Sequence, residues 1–328
     1  MSEMGSAREL RSGIDELHVA VIIPCHNEEP SIGKVVGDFR KAIPTATVYV
    51  YDNNSTDNTR EVAQRAGAIV RMEELQGKGN VVRRMFSDVE ADYYILIDGD
   101  DTYDISASVK LLACASEKNL DMVNGARVSV DSDAYRPGHM LGNKMLTKIV
   151  ALVFGDRITD MLSGYRVFSR RFVKSFPALS SGFEIETELT IHALELKMPV
   201  AEIETTYKGR LEGSESKLRT YRDGLMILKM IAILIKEERP LQFFVLVATA
   251  LSLLSVILAW PLVTEYLETG LVPRFPTAIL SSATMLLAFL SLFTGMVLDT
   301  VTHGRREMKR MWYLSVPNRR VGNIKRKS

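Results

Sequence analysis

Two stretches of this chain, residues 241–264 and 275–298, each run 24 residues without a charged side chain. As α-helices they would be roughly 36 Å long, more than the ~30 Å hydrocarbon layer of a bilayer. Leu, Ala, Val and Ser dominate both. Such segments pair either as membrane-spanning helices or as buried core helices, and the sequence favours the first. The link between them holds Glu265, Glu268 and a single cation, Arg274. The flanks are basic: Arg219, Arg222, Lys229, Lys236 and Arg239 precede the pair, and from His303 onward nine Lys or Arg stand against one acid, Glu307. Positive flanks stay on the cytoplasmic side, which predicts both termini in the cytoplasm and the link outside. The localisation expected is a cytoplasmic (inner) membrane, crossed twice.

The rest of the chain is long enough for one large domain. A net charge of +1 gives no global attraction to nucleic acid, which is excluded as a partner. Cys25 and Cys114 fit neither a metal-ligand spacing nor a disulfide framework. Residues 1–17 are polar, lack the apolar core of a signal peptide, and predict a loose arm.

Residues 19–23 form a continuous apolar run closed by Pro24, a buried strand. Helix 31–40 follows, with Ser31 as its cap. Strand 47–51, helix 58–66, strand 68–71, helix 78–88 and strand 94–97 continue the alternation. This predicts an α/β fold with a doubly wound, mostly parallel sheet, whose ligands bind beyond the carboxyl ends of the strands. Further on, 122–125 and 202–207 read as strands, and 141–154 and 183–196 as helices. Residues 218–238 read as a long helix with Arg222, Lys229 and Lys236 on one face. That pattern suits a helix lying in the membrane interface, with an ordinary core helix as the alternative. The domains expected are an arm (1–17), a catalytic domain (18–217), an interface helix (218–240), two membrane helices (241–300) and a basic tail (301–328).

The chemistry gathers at strand ends. Residues 93–104 end an apolar run in four carboxylates, Asp98, Asp100, Asp101 and Asp104. Like charges so close repel unless a cation lies between them. Oxygen-only ligands suit Mg²⁺ or Mn²⁺, which keeps positions open for phosphate oxygens. A merely solvated acidic loop is the alternative. Pro24-Cys25-His26-Asn27-Glu28 and the polar run Asp52–Thr59 offer groups to a base or ribose, although Asp57 and Thr59 also serve as helix caps. Gly77-Lys78-Gly79 opens a helix whose amides and Lys78 suit an anion, or else is a plain connecting turn. Neither a Walker motif nor a GxGxxG fingerprint is present.

Taken in order, Pro24-x-x-Asn27-Glu28, Asp52…Ser55-x-Asp57-x-Thr59, Gly77-Lys78-Gly79 and Asp98-x-Asp100 resemble the inverting family-2 glycosyltransferases of GT-A fold. Asp160-Met161-Leu162-Ser163-Gly164-Tyr165-Arg166, Phe183-Glu184-Ile185-Glu186 and Arg210…Gly213-Ser214-Glu215-Ser216-Lys217 narrow the resemblance to the polyprenyl-phosphate branch, over residues 19–217. The resemblance implies that Pro24, His26, Glu28 and Asp52 hold the nucleoside, and that Asp98 and Asp100, with the Gly99 backbone, hold metal and diphosphate. It puts Arg127 near the donor phosphates or sugar. Lys78, Arg210 and Lys217 would lie over the diphosphate, and Arg136 at the acceptor phosphate. Asp100, Arg127 and Arg136 are the catalytic candidates. Glu184 or Glu186 would orient sugar hydroxyls or simply face solvent on an amphipathic helix. Thr102 stands where mannose synthases commonly have Gln, a departure that counts against mannose and against the family's usual metal shell; UDP-sugars are the donors favoured, with GDP-mannose the alternative.

The implied activity is transfer of a hexose from a nucleotide-sugar to a polyprenyl (undecaprenyl or dolichyl) phosphate, in cell-envelope glycan biosynthesis. Its partners would be those two substrates, anionic lipid, and a second copy of the chain as a homo-oligomer. A processive polysaccharide synthase is a rival reading, but its Gln-x-x-Arg-Trp motif is missing: neither Trp260 nor Trp312 follows an Arg. A non-catalytic, nucleotide-sugar-binding membrane anchor is the other.

Overall fold

The computed structural model describes residues 17–129, 158–178, 180–182, 184–208 and 239–318. The chain separates into two compact units, Met1–Leu228 with Lys309–Ser328, and Lys229–Met308. The helices expected at 141–154 and 218–238 lie outside the described residues.

The first unit is built on a seven-stranded sheet. Its elements are β1 (Val19–Cys25), α1 (Glu29–Ala42), β2 (Thr47–Asp52), α2 (Thr59–Arg65), β3 (Ile69–Met72), α3 (Lys78–Asp88), β4 (Tyr93–Leu96), α4 (Ala107–Glu117), β5 (Met122–Ser129), β6 (Arg166–Ser169), α5 (Arg170–Ser175), α6 (Ile185–Glu195) and β7 (Val200–Tyr207). The strand order is β3-β2-β1-β4-β6-β5-β7. All neighbouring pairs are parallel except those of β6, which runs antiparallel to both β4 and β5. The sheet is therefore mostly parallel, as expected.

The central strands read as apolar runs because helices cover both faces. β1 is buried almost throughout. In α1, Ile32, Val35, Val36 and Phe39 recur at helical spacing and face the sheet, each burial contributing roughly 1.5–3 kcal/mol. Glu29 in the first turn and Arg40 and Lys41 in the last complement the helix dipole.

Several boundaries differ from the sequence reading. Pro24 does not close β1 but lies within it, opposite Tyr51 of β2. Ile22 and Pro24 point to the β4 side, where the pairing ends with Ile97 N donating to Ile22 O at 3.3 Å. The missing N–H of Pro24 therefore breaks no ladder. Ser31 is not a cap. It sits inside α1 and donates to Glu28 O (3.2 Å) and to Gly99 O (2.7 Å), tying the helix to the acidic tip. α4, α5 and β6 were not anticipated.

The second unit contains α7 (Pro240–Thr269), with Pro261 in its interior, and the greater part of α8 (Phe275–Ser315). Gly270, at φ 70°, ends α7 in the left-handed conformation that glycine adopts without strain. Ser255 and Ser281 hydrogen-bond each other: each hydroxyl donates to the other's carbonyl, at 2.8 and 3.1 Å. A Cβ on Gly295 would come 2.7 Å from Phe244 Cβ, so the helices meet there only because the side chain is missing. Both helices are long and apolar enough to cross a membrane, and only 11% and 22% of their most apolar windows are buried. A soluble protein's core helix would be mostly covered, and these two are not.

Candidate active site

The loops at the carboxyl ends of β1, β2 and β4 converge. Beyond β4, the backbone turns through Asp98-Gly99-Asp100. A Cβ on Gly99 would lie 2.7 Å from Cys25 Sγ, so only glycine fits against β1. Asp100 is 4% exposed and its Oδ1 accepts from Thr102 Oγ1 (2.6 Å) and Thr102 N (3.3 Å). The other two acids have structural partners. Asp101, at φ 57°, receives Lys34 Nζ on both oxygens at 2.6 Å, and that hydrogen bond raises the pKa of Lys34. Asp104 accepts from Ser106 N and Oγ at 3.0 and 2.9 Å, closing the turn before α4.

Asp98 is held from two sides. A Cβ on Gly164 would overlap its carboxylate, and Gly164 N donates to Tyr103 Oη at 2.9 Å. Lys78, at the start of α3, places its Nζ 2.5 Å from Asp98 Oδ1 and 2.5 Å from Glu186 Oε1. Burial pulls the Lys78 ammonium toward neutrality, but Asp98 and Glu186 outweigh it and its pKa is raised. Glu186 is 5% exposed and one carboxylate oxygen, Oε2, has no hydrogen-bond partner among the described residues. Glu186 therefore faces the site rather than solvent, and the amphipathic reading of its helix is corrected. The Gly77 and Gly79 amides also differ from expectation. Gly79 N and Asn80 N donate to Ser181 O (3.1 and 3.4 Å), and a Cβ on either glycine would overlap the 180–181 backbone. The two glycines serve as a socket for the segment leading into α6, and only Lys78 of the trio reaches the acidic tip.

Arg166 joins the same parts from behind. Fully buried, it donates to Ser163 O (3.0 Å), Met161 O (2.6 Å) and Thr190 Oγ1 (2.8 Å), linking the Gly164 turn to α6. Burial lowers its pKa to about 10.

At the β1 and β2 ends, His26 Nδ1 lies 2.8 Å from Asn53 O, and Glu28 N donates to Thr59 Oγ1 at 2.8 Å. Asp52 is fully buried. Its Oδ2 accepts from Ser55 N (3.2 Å) and lies 3.9 Å from Arg60 Nε, while Oδ1 has no hydrogen-bond partner among the described residues. A buried acceptor left unsatisfied is costly unless a ligand supplies a donor. Asn53 holds the 73–77 loop instead, through Glu73 O, Leu75 O and Gly77 N at 2.7–2.9 Å.

Arg127 forms a fork on Asp160, with Nε to Oδ2 at 2.7 Å and Nη2 to Oδ1 at 2.8 Å, and lies over the Tyr207 ring. Glu202 in turn accepts from Asn124 Nδ2 (2.7 Å), Thr159 N and Asp160 N, fixing that partner. Its guanidinium is thus oriented by Asp160. Arg136, Arg210 and Lys217 lie outside the described residues. Of the expected site residues the structure brings Lys78 onto Asp98, while sequence reasoning missed the Arg166 anchor and the Asp160 clamp on Arg127.

Among the described residues no group of three or more His, Cys, Asp or Glu could hold a metal alone. Asp98 and Asp100 are two carboxylates at one strand end, the number that a Mg²⁺ or Mn²⁺ completed by substrate phosphate and water would take.

Residues 20–176 match the family described as glycosyl transferase family 2. An uncharacterised protein of Shigella flexneri is 56% identical over 158 residues, covering 48% of this chain and 97% of that protein. Glycosyltransferase AglJ of Haloferax volcanii is 33% identical over 300 residues, 89% of this chain and 97% of that one. A dolichyl-phosphate hexose transferase of the same organism is 26% identical over 221 residues, 67% and 95% respectively. Among solved structures, glucosyl-3-phosphoglycerate synthase from Mycobacterium tuberculosis, in complex with Mn²⁺, UDP and glucosyl-3-phosphoglycerate, has a TM-score of 0.56 at 21% identity, over 70% of this chain and 82% of that one. That likeness establishes the GT-A fold. The ordered strand-end motifs, the sheet that gathers them and the relatives matched nearly end to end agree: the chain belongs to glycosyl transferase family 2.

Proposed function

We propose that this glycosyltransferase moves a hexose from a nucleotide-sugar, UDP-linked in preference to GDP-linked, to a polyprenyl phosphate at the cytoplasmic face of a membrane, with inversion at the anomeric carbon. One observation carries the proposal: Lys78 and the acidic tip form a single charged cluster at the sheet edge, in a chain that also bears two exposed apolar helices. The relatives' names support it, since one acts on dolichyl phosphate.

On this reading, the unsatisfied Asp52 Oδ1 accepts a base N–H, with Pro24, His26 and Glu28 lining the nucleoside. Lys78 lies at the diphosphate. Asp98 and Asp100 would hold Mg²⁺ or Mn²⁺, whose charge would offset that of the leaving diphosphate. An acceptor phosphate is already anionic near neutral pH, so the residues must orient it rather than remove a proton. Its oxygen bonds to the anomeric carbon as the bond to the nucleoside diphosphate breaks. Arg127, aimed by Asp160, screens the two phosphate groups, and Arg136, Arg210 and Lys217 are proposed to complete that screen. The basic tail of the chain would add about 1 kcal/mol per Lys or Arg near an anionic surface.

The test incubates the full chain with labelled UDP- and GDP-sugars and undecaprenyl phosphate, with Mn²⁺, Mg²⁺ or chelator. A lipid-linked sugar that requires metal and disappears in Asp100→Ala is expected. Full transfer by Asp100→Ala would falsify the metal–diphosphate assignment, and no lipid-linked product from any donor would favour a binding role.

A further inference from the structure

Away from the donor site, a second buried polar cluster lies at the opposite edge of the sheet, where Asp121 leads into β5. Its carboxylate is fully buried and takes Ser169 Oγ at 2.6 Å, Arg171 Nε and Nη2 at 3.1 and 2.9 Å, and Tyr313 Oη at 2.5 Å. Three of these donors come from the β6–α5 corner beside it. The fourth comes from the last turns of α8, 192 residues downstream. Tyr313 is itself 7% exposed, with its ring 4.5 Å from the Arg171 guanidinium. Trp312 Nε1 donates to Lys174 O at 3.0 Å on α5.

The preceding residues reach α6. Lys309 Nζ lies 2.8 Å from Glu195 Oε2, and Arg310 Nη1 donates to Leu196 O at 3.3 Å. Leu196 is the C-cap of α6. Carbonyls at a helix C-terminus lack intrahelical partners, and the helix dipole there favours positive charge. Lys309 and Arg310 supply both, as a cap delivered from a distant part of the chain. The other end of α6 carries Glu186 to Lys78 and so to Asp98, about 14 Å away along a single rigid helix.

We infer that residues 309–318 are a strap, anchored on Asp121 by Tyr313, that pins α6 from its C-terminal end, and that Lys309 and Arg310 are positioning residues for the Lys78–Glu186–Asp98 cluster. A strap of this kind fixes where Glu186 stands without touching substrate. Its effect on turnover rests on the transferase reading above, whereas its effect on α6 does not.

The experiment compares the full chain in lipid nanodiscs with Lys309→Ala/Arg310→Ala and with the charge-preserving Lys309→Arg/Arg310→Lys. Hydrogen exchange over residues 185–195 is expected to rise at least about threefold in the alanine variant, with β1 and β2 amides unchanged. kcat/KM for the nucleotide-sugar should fall about five- to tenfold, while KM for the polyprenyl phosphate holds. The charge-preserving variant should recover both. Unchanged α6 exchange overturns the strap, as does exchange raised equally in β1 and β2. A loosened α6 with unaltered donor kinetics overturns the positioning role. If the wild-type chain transfers no sugar, the transferase reading fails and α6 exchange alone decides the strap. Should the double variant not fold, Lys309→Met gives the same exchange readout with one cation kept.

Discussion

The Cα of Gly164 lies against the Asp98 carboxylate so closely that a single methyl group would overlap it. Gly164→Ala must therefore push Asp98 aside or shift the turn held by Arg166. Misplacing a reacting or ligating group by about 1 Å costs up to about 10²-fold in rate. We expect Gly164→Ala to lose transfer by one to two orders of magnitude on that basis. Its thermal midpoint should stay near wild type. Calorimetric titration with Mn²⁺ and UDP would show weakened binding; tight binding with full activity would mean that Asp98 does not serve the donor.

Lys78 stands between two carboxylates, one of them buried. Removing one partner of a buried ion pair leaves an uncompensated charge and costs about 3–5 kcal/mol. Lys78→Met should destabilise the catalytic unit on that scale. Adding Glu186→Gln removes the stranded charge and should restore much of the loss in stability but none of the activity. Thermal unfolding of both variants checks this, and additive penalties would count against the coupling.

His192 is buried against Phe172 and Phe176, and its Nε2 has no hydrogen-bond partner among the described residues. Burial, helped by the charge of Lys309, lowers its pKa from 6.5 to about 3. Between these values the unfolded chain binds the proton and the folded chain does not. Stability is therefore whole above pH ~6.5 and declines as the pH falls toward 3, by about 2 kcal/mol at pH 5. His192→Leu should flatten this acid limb, seen as a smaller drop in Tm between pH 7.5 and pH 5. An identical drop in the variant would show that His192 is not held neutral.

In the helical hairpin, the reciprocal Ser255–Ser281 bonds predict that Ser255→Ala/Ser281→Ala weakens helix pairing by about 1 kcal/mol. Steric trapping in bicelles would measure it. No change would mean that packing at Gly295 suffices alone.

The half of the sheet around β1 was legible because its strands are continuous apolar runs and its helices are opened by polar turns. α3 was read to the residue at both ends. β6 was not, because its four residues include Arg166, which no strand pattern would bury. α4 escaped because its buried face, Ser108, Leu111, Leu112 and Ala115, includes a polar serine and a small alanine and so gives only a short apolar stripe. The acidic tip was readable from local spacing, but the division of its labour was not. Asp101 belongs to Lys34, 67 positions away, and Lys78 to Glu186, 108 positions away. Such pairings are set by topology, and a local window of sequence carries no trace of them.

The contact between Asp121 and Tyr313 also bears on biosynthesis. At 5–20 residues per second, the ribosome adds Tyr313 about 10–40 s after it adds Asp121. Until then the Asp121 carboxylate has only the β6–α5 donors, and the C-terminal end of α6 has no cap from Lys309 and Arg310. Both apolar helices are synthesised in that interval. The catalytic unit thus completes its structure only after its hairpin has been made, so a nascent chain stalled before residue 309 should lack a finished donor site.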